Sequence, residues 1–449
     1  MLFKQHLKVT SKLAIPLIIS QVGHIVTGIV DTIFLGKLGV ISNTAQASCV
    51  LANQLFVVLL VFAIGVSYSL TPKIASASVN CNQDKKVSLL KNAILLNFLI
   101  CVILFIVLFF STELLDYMQQ PYDVTEMAKP FFKVLILSII PLSFYFVGKQ
   151  YCEGLSNTNV AMIISIIGNL INILLNYCLI FGKFGFPEMG YMGSCWATFI
   201  ARCLMGMGFI AVLYYSKEFN YVGKLLKTAK INFLELKDLL YSGLAFGFQF
   251  SFEIASFLLC ALMVGSIGKE ELIAHGITMH LTSFTYMFGS GIGGVALIRV
   301  SNFYAKKDLK NLFLANQASF VLICIIMGIM GLIFLTFNTL LATYFSTDFH
   351  VIELTSKLLI VAGLFQLFDG IQVTAINILR GLEDYKIPTI ITLISYWVIA
   401  MPLAYLFAFV LKLNAFGIWI ALCISLIIIA STLFLRIRFL CFKLTSNKN

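Results

Sequence analysis

Long apolar runs recur along this chain, separated by short polar stretches. A membrane-spanning helix needs roughly 20 mostly apolar residues. Runs of that kind predict twelve such helices, near 13–35, 49–71, 92–112, 131–152, 159–182, 190–215, 239–265, 272–298, 313–337, 356–379, 386–410 and 415–437. The least apolar long stretch, residues 216–238, separates six predicted helices from six. There Leu225, Leu226, Ile231, Leu234 and Leu236 alternate with lysines, which predicts a linker with an amphipathic surface helix. The expected organisation is an N-terminal six-helix lobe over 1–215, a cytoplasmic linker over 216–238 and a C-terminal six-helix lobe over 239–449.

The two lobes repeat one design. LGKLGVISNTA, with Gly36, Gly39 and Ala45, aligns with VGSIGKEELIA, with Gly265, Gly268 and Ala274, at a constant separation of 229 residues. EGLSNTNVAMIIS from Glu153 aligns with RGLEDYKIPTIIT from Arg380 at 227, and Asp84 with Asn92 aligns with Asp308 with Asn316 at 224. Six helices per repeat is an even number, so both halves enter the membrane from the same side, related by a pseudo-two-fold axis along the membrane normal. Proteins built this way place substrate sites at or near the interface of their repeats, which makes a transporter the expected class.

Composition agrees with an all-α, multi-pass membrane protein. Of 449 residues 60% are apolar and only 11% charged, well outside the range of soluble domains. The basic start and first apolar run resemble the opening of a signal peptide, but no small-residue cleavage site follows, so a retained first helix is expected. The net charge of +11 comes from lysines and arginines spread over short loops, which excludes a nucleic-acid patch. About 23 of them fall on the side of the N-terminus and about 7 on the other, which predicts cytoplasmic termini. The eleven cysteines are scattered without a CxxC pair and are expected to be small buried hydrophobes, with no metal or redox site.

Polar residues inside the apolar runs narrow the function. Among the twenty acidic residues, Asp31, Glu253 and Asp369 lie within predicted spans. A carboxylate in hydrocarbon costs at least about 2.5 kcal/mol, so such groups face a cavity, pair, or exchange a cation. Gln21, His24, Gly28 and Asp31 follow one another at spacings of three, four and three, which places them on one helical face; Pro16, ahead of them, permits a bend or a hinge. His24 is either a packed, hydrogen-bonded histidine or a proton relay. Asn169, Asn172 and Asn176 share a face of the fifth span. Their amides, with Thr198 from the sixth, either complete an oxygen cage around Asp31 or pack helices together. In the second half Gln249 precedes Glu253 by one turn, and Gln372 and Asn377 follow Asp369. Phe252, Phe284, Phe288 and Phe365, among other phenylalanines, flank this polar stripe and suit a flat lipophilic cation.

These residues resemble the multidrug and toxic compound extrusion (MATE) transporters, and more closely their NorM-like branch. The resemblance runs over nearly the whole chain. It is carried by Pro16 ahead of the VDT at Val30 to Thr32, by EGLSNTNVAM at 153–162, by NYCLIFGKFGFPEMGYMGSCWAT at 176–198, by Glu253, and by QLFDGIQ and ILRGLEDYKIP within 366–388. It implies two six-helix lobes forming a V around a central cavity in a bacterial inner membrane. The implied activity is antiport of Na⁺ or H⁺ against small amphipathic cationic drugs or toxic metabolites. Asp31, Asn172, Asn176 and Thr198 would form one cation or proton site, and Glu253 with Asp369 the other. Na⁺ is the metal these acids would hold. Gln21, His24, Gln249, Phe252, Phe284, Phe288, Phe365 and Gln372 are candidates for the substrate cavity. Membrane lipid is the surroundings, and neither a cofactor nor an obligatory protein partner is implied.

The alternative within the same superfamily is a flippase for lipid-linked or other amphiphilic substrates. Such proteins tend to place basic residues in the cavity. With three acids and essentially one base, Arg202, inside the spans, a cationic or neutral cargo is expected instead. An enzyme is not expected, since no HExxH or paired His–carboxylate motif occurs, and ATP-driven transport lacks its GxxxxGK[ST] loop.

Overall fold

A computed structural model describes residues 2–79, 81–117 and 121–446, and among these no strand occurs. Among the described residues eleven helices are long and apolar enough to cross a membrane, and a pair bent by 43°, taken as one span, makes a twelfth. In chain order the spans are α1 (Leu2–Leu35), α2 (Ser42–Val79), α3 (Gln83–Ser111), the bent α4 (Tyr122–Leu137 with Ile139–Gly154), α5 (Thr158–Phe181) and α6 (Tyr191–Tyr215). Then follow α7 (Phe233–Ile267), α8 (Lys269–Ala305), α9 (Leu309–Thr336), α10 (Phe349–Gly381), α11 (Lys386–Val410) and α12 (Asn414–Ser446). The bend in α4 has a covalent cause. Pro141 has no amide to bond the Leu137 carbonyl and its ring crowds that oxygen. Ser138 spans the break, its amide and hydroxyl both bonding the Leu135 carbonyl, at 3.0 and 2.6 Å.

Helix starts follow short polar side chains. Asn82, Asn157, Asp308 and Asp348 each accept a hydrogen bond from a first-turn amide of the helix they precede. The repeat is visible in the backbone as well. Left-handed residues recur in the turns that follow equivalent helices, at Cys81 and Lys307, at Ser156 and Glu383, and at Phe184 and Lys412. At Ser156 and Glu383 the following amide reaches back five residues in the same way, Asn157 to Cys152 at 2.9 Å and Asp384 to Leu379 at 2.9 Å. Caps and turns pair Asp308 with Asn82 rather than with Asp84, so the expected match at 224 residues is two residues out of register there.

The helices cluster into two compact units whose boundaries fall inside helices. One comprises Val22–Gly247; the other comprises the chain up to Gln21 together with everything from Phe248 onward. The expected divisions at 215 and 239 differ from this because α1 and α7 each pack their two halves on different neighbours. The start of α1 is held by α8: Arg299 donates to the His6 carbonyl at 2.9 Å and to its ring Nδ1 at 2.6 Å, while Ala14 and Leu17 pack with Ile292, Val295 and Met327. The start of α7 is held by α2 and α3. Glu235 accepts from Ser88 at 2.6 Å and Asn92 at 2.9 Å, and Asp238 pairs with Lys73.

Between α6 and α7 a short helix, Asn220–Thr228, occupies the expected linker. Its apolar side is not left for lipid. Phe219 and Val222 are buried in the core of the Val22–Gly247 unit, Leu225 and Leu226 pack on it, and Lys224, Lys227 and Lys230 stay exposed. Lys91 donates to the Leu226 and Ala229 carbonyls at 3.3 and 2.6 Å, closing the helix's C-terminal end.

Candidate functional site

In the Val22–Gly247 unit, the outer half of α1 brings Asp31 to α5 and α6. The spacing of Asn172 and Asn176 by one turn puts both amides on the side of α5 that meets it. Asn176 Nδ2 donates to Asp31 Oδ1 at 2.7 Å and lies 3.0 and 3.1 Å from the Asn172 backbone and side-chain oxygens; Asn172 Nδ2 donates to Thr198 Oγ1 at 3.3 Å. All four residues therefore form one cluster. Asn172 and Asn176 are buried and Asp31 is partly buried. Asn176 Oδ1 is buried with no hydrogen-bond partner among the described residues. A carboxylate, two amide oxygens and a hydroxyl make a hard oxygen set of low charge, which suits a monovalent cation or a proton on the carboxyl. Arg202, one turn beyond Thr198 on α6, donates to Ser138 Oγ at 2.6 Å, lies over the Phe56 ring and is within electrostatic range of Asp31.

His24 shares the face of Asp31 but joins a different chain of bonds. The Ser165 hydroxyl donates to the Ala161 carbonyl at 2.8 Å, so the Tyr145 hydroxyl, 3.0 Å away, is the donor to Ser165. Tyr145 then accepts from His24 Nε2, also at 3.0 Å. His24 is thus hydrogen-bonded through Nε2–H. Gln21, the last residue of α1 that belongs to the second unit, donates within that unit to Ser290 Oγ at 2.9 Å.

In that second unit, α7 supplies Glu253, α10 supplies Asp369 and Gln372, and α11 supplies Tyr396. Glu253 Oε1 accepts from Gln372 Nε2 at 3.0 Å and from the Tyr396 hydroxyl at 3.3 Å. Asp369 lies within electrostatic range of Glu253 and is 4% exposed. Two carboxyl groups in one buried site repel each other unless a proton or a cation is shared between them. Tyr396 is a member of this cluster that no sequence pattern singles out, because α11 winds as a π-helix over Ile394–Ala400 and so departs from the 3.6-residue period.

The remaining candidates separate. Gln249 does not line open space: it is buried and bonded to Arg380 and Thr392. Phe365 is a core residue, packed between Trp419 and Phe257 at 5.5 and 6.5 Å between ring centroids. Phe252 packs edge-on against Trp397, and Phe284 against Phe288, and both pairs keep exposed surface. Pro16 is accommodated within α1.

The expected count of three acids and one base inside the spans does not hold. Lys149, Arg299, Arg380 and Glu153 are buried as well. Lys149 and Glu153 pair at 4.0 Å one turn apart on α4, while Arg299 and Arg380 are bonded inside their own unit. Lys149 falls inside the predicted span 131–152, while Glu153, Arg299 and Arg380 lie in the helical turn just past a predicted span, and tertiary packing covers all four. Among the described residues no cluster of three or more His, Cys, Asp or Glu side chains could hold a metal ion, and all eleven cysteines are free thiols.

Comparison with known proteins gives a consistent result. The MatE family model matches residues 16–178 and 245–406. A probable multidrug resistance protein NorM of Mesorhizobium japonicum is 29% identical over 97% of this chain and 94% of its own length, and a protein of the same description from Agrobacterium fabrum is 28% identical over 94% and 91%. Among solved structures, a eukaryotic MATE transporter matches with a TM-score of 0.87 at 20% identity, over 97% of this chain and 96% of its own. A transporter of the MOP superfamily from Pyrococcus furiosus, described as having a binding pocket of reverse polarity, matches with the same TM-score at 18% identity, over 98% and 97%.

Proposed function

The chain belongs to the MatE family of multidrug transporters, and from that premise we propose that it exports small amphipathic cationic compounds in exchange for Na⁺ or H⁺. The observation that carries this reading is the Glu253–Asp369 pair: two buried carboxyl groups, one of them hydrogen-bonded by Gln372 and Tyr396. The Asp31 cluster is the second, chemically different place where a cation or proton is taken up.

In the proposed cycle, cargo bound from the cytoplasm is released outside once an incoming cation neutralises Asp31, or Glu253 with Asp369. Access then returns to the cytoplasm. Moving one elementary charge through about 100 mV is worth about 2.3 kcal/mol. One entering ion therefore offsets the export of one monovalent cation, and the ion's chemical gradient or a second ion drives concentration. The proposed location is a bacterial inner membrane with both termini cytoplasmic, supported by the lysines and arginines on the side of the N-terminus.

The flippase reading requires bases offered to a phosphate. Lys149, Arg299 and Arg380 are buried and already engaged with partners in their own units, which favours cationic cargo. In proteoliposomes, ethidium export is expected to rise under an imposed inward Na⁺ gradient or an imposed pH gradient. A rate indifferent to both gradients contradicts antiport. Asp31→Asn is expected to cut the stimulated rate at least tenfold while leaving the melting temperature within a few degrees, since an amide can keep the bond from Asn176.

A further inference from the structure

Two polar layers cross the second unit between α7, α10 and α11. One is the acid layer of Glu253, Asp369, Gln372 and Tyr396. The other lies one turn earlier on α7, at Gln249, and one turn earlier on α11, at Thr392, and is centred on Arg380. Arg380 Nη2 donates to Gln249 Oε1 at 2.9 Å, and Gln249 Nε2 donates to Thr392 Oγ1 at 3.1 Å. The Thr392 hydroxyl donates in turn to the Pro388 carbonyl at 2.8 Å. Each bond in this layer has a fixed direction, so turning the Gln249 amide over would break two of them. The guanidinium also lies over the Phe250 ring, 4.9 Å from its centroid. Arg380 is 2% exposed and close enough to Glu253 to act on its charge.

Arginine does not give up its proton in proteins, so this positive charge is permanent, unlike an exchangeable Na⁺ or H⁺. Set against two ionised carboxylates, it leaves one net negative charge, which is room for one exchangeable monovalent cation rather than two. A transport site must bind its ion well enough to load and weakly enough to unload. The repeat places Glu153 at the position of Arg380, so the Asp31 unit has a carboxylate where this unit has a guanidinium.

We propose that Arg380, positioned by Gln249 and Thr392, is a tethered cation that limits the Glu253–Asp369 pair to one exchangeable cation and weakens its binding enough for release. This rests on the pair being a coupling-cation site. Arg380 is a positioning residue and touches no cargo.

Trp397 supplies the probe, because its Nε1 donates to the carbonyl of Phe252, the residue before Glu253, at 3.2 Å. Its fluorescence in the purified full-length protein is titrated with NaCl at fixed pH against choline chloride, and with H⁺ in Na⁺-free choline buffer. Removing the charge with Arg380→Gln or, at similar volume, Arg380→Met is expected to lower the half-saturating cation concentration roughly tenfold or more. Arg380→Lys, which keeps the charge, is expected to stay near the parent value. A structural role alone would make all three variants lose stability without tightening cation binding. Unchanged or weaker binding in a folded Arg380→Gln or Arg380→Met protein overturns the proposal. The Glu253→Gln/Asp369→Asn double variant separates the two levels. If it titrates like the parent, the site assignment fails; if it loses the response while the Arg380 variants match the parent, only the role of Arg380 fails.

Discussion

Glu253→Gln is expected to abolish cation-driven export while leaving a folded protein. The substituted amide has nearly the shape of the carboxyl, and its oxygen can still accept from Gln372 Nε2 and the Tyr396 hydroxyl, now 3.0 and 3.3 Å from Glu253 Oε1. What is lost is the negative charge. At a separation of about 4 Å and an effective dielectric constant near 20, a unit charge attracts a cation by about 4 kcal/mol, or roughly a thousandfold in affinity. Asp369→Asn should act in the same direction. Ethidium uptake into everted vesicles, with expression checked by immunoblot and folding by thermal melting, reads both effects. Export at the parent rate in either variant would remove that carboxyl from the mechanism.

The second large effect concerns packing. α9 and α10 approach closely at Gly331 and Gly363, where a Cβ on Gly331 would lie 2.5 Å from the Gly363 carbonyl oxygen and a Cβ on Gly363 would lie 3.0 Å from the Gly331 oxygen. The obstacle is backbone, which cannot move aside as a side chain could. Small residues at such crossings are how helices pack closely in a bilayer, where lipid is as apolar as a leucine side chain. Gly331→Val is therefore expected to destabilise the protein by roughly 3 kcal/mol or more and to lower its yield in the membrane. Gly328, on the next turn of the same helix, has open space where its Cβ would be. Gly328→Val is expected to change the melting temperature little. Equal melting temperatures for the two variants would show that the α9–α10 crossing is looser than described.

Much of the first cluster was legible because it depends on spacing alone. Asn172 and Asn176 are one turn apart, and Asp31 is an acid in an apolar run, so helical periodicity and the cost of burying charge bring them to notice. Glu253 and Asp369 were legible for the second reason. Tyr396 was not, because the π-helical turn rotates it relative to a regular helix and because a tyrosine in a span is unremarked by composition. Arg380 was hidden by its position in the RGL motif at the end of α10, which reads as the edge of a loop; the repeat that aligns it with Glu153 is the signal that marks it. The unit boundaries were hidden for another reason. A helix halves its allegiance through its tertiary neighbours, such as Arg299 on His6 and Ser88 on Glu235, and local sequence does not record them.

Exchange itself is the central claim, and it can be measured without any imposed ion gradient. With purified protein in liposomes, an ethidium gradient alone should drive ²²Na⁺, or protons followed with an internal pH dye, in the opposite direction, and Glu253→Gln should abolish that movement. Ethidium equilibrating through the parent protein with neither cation moving against it would contradict antiport.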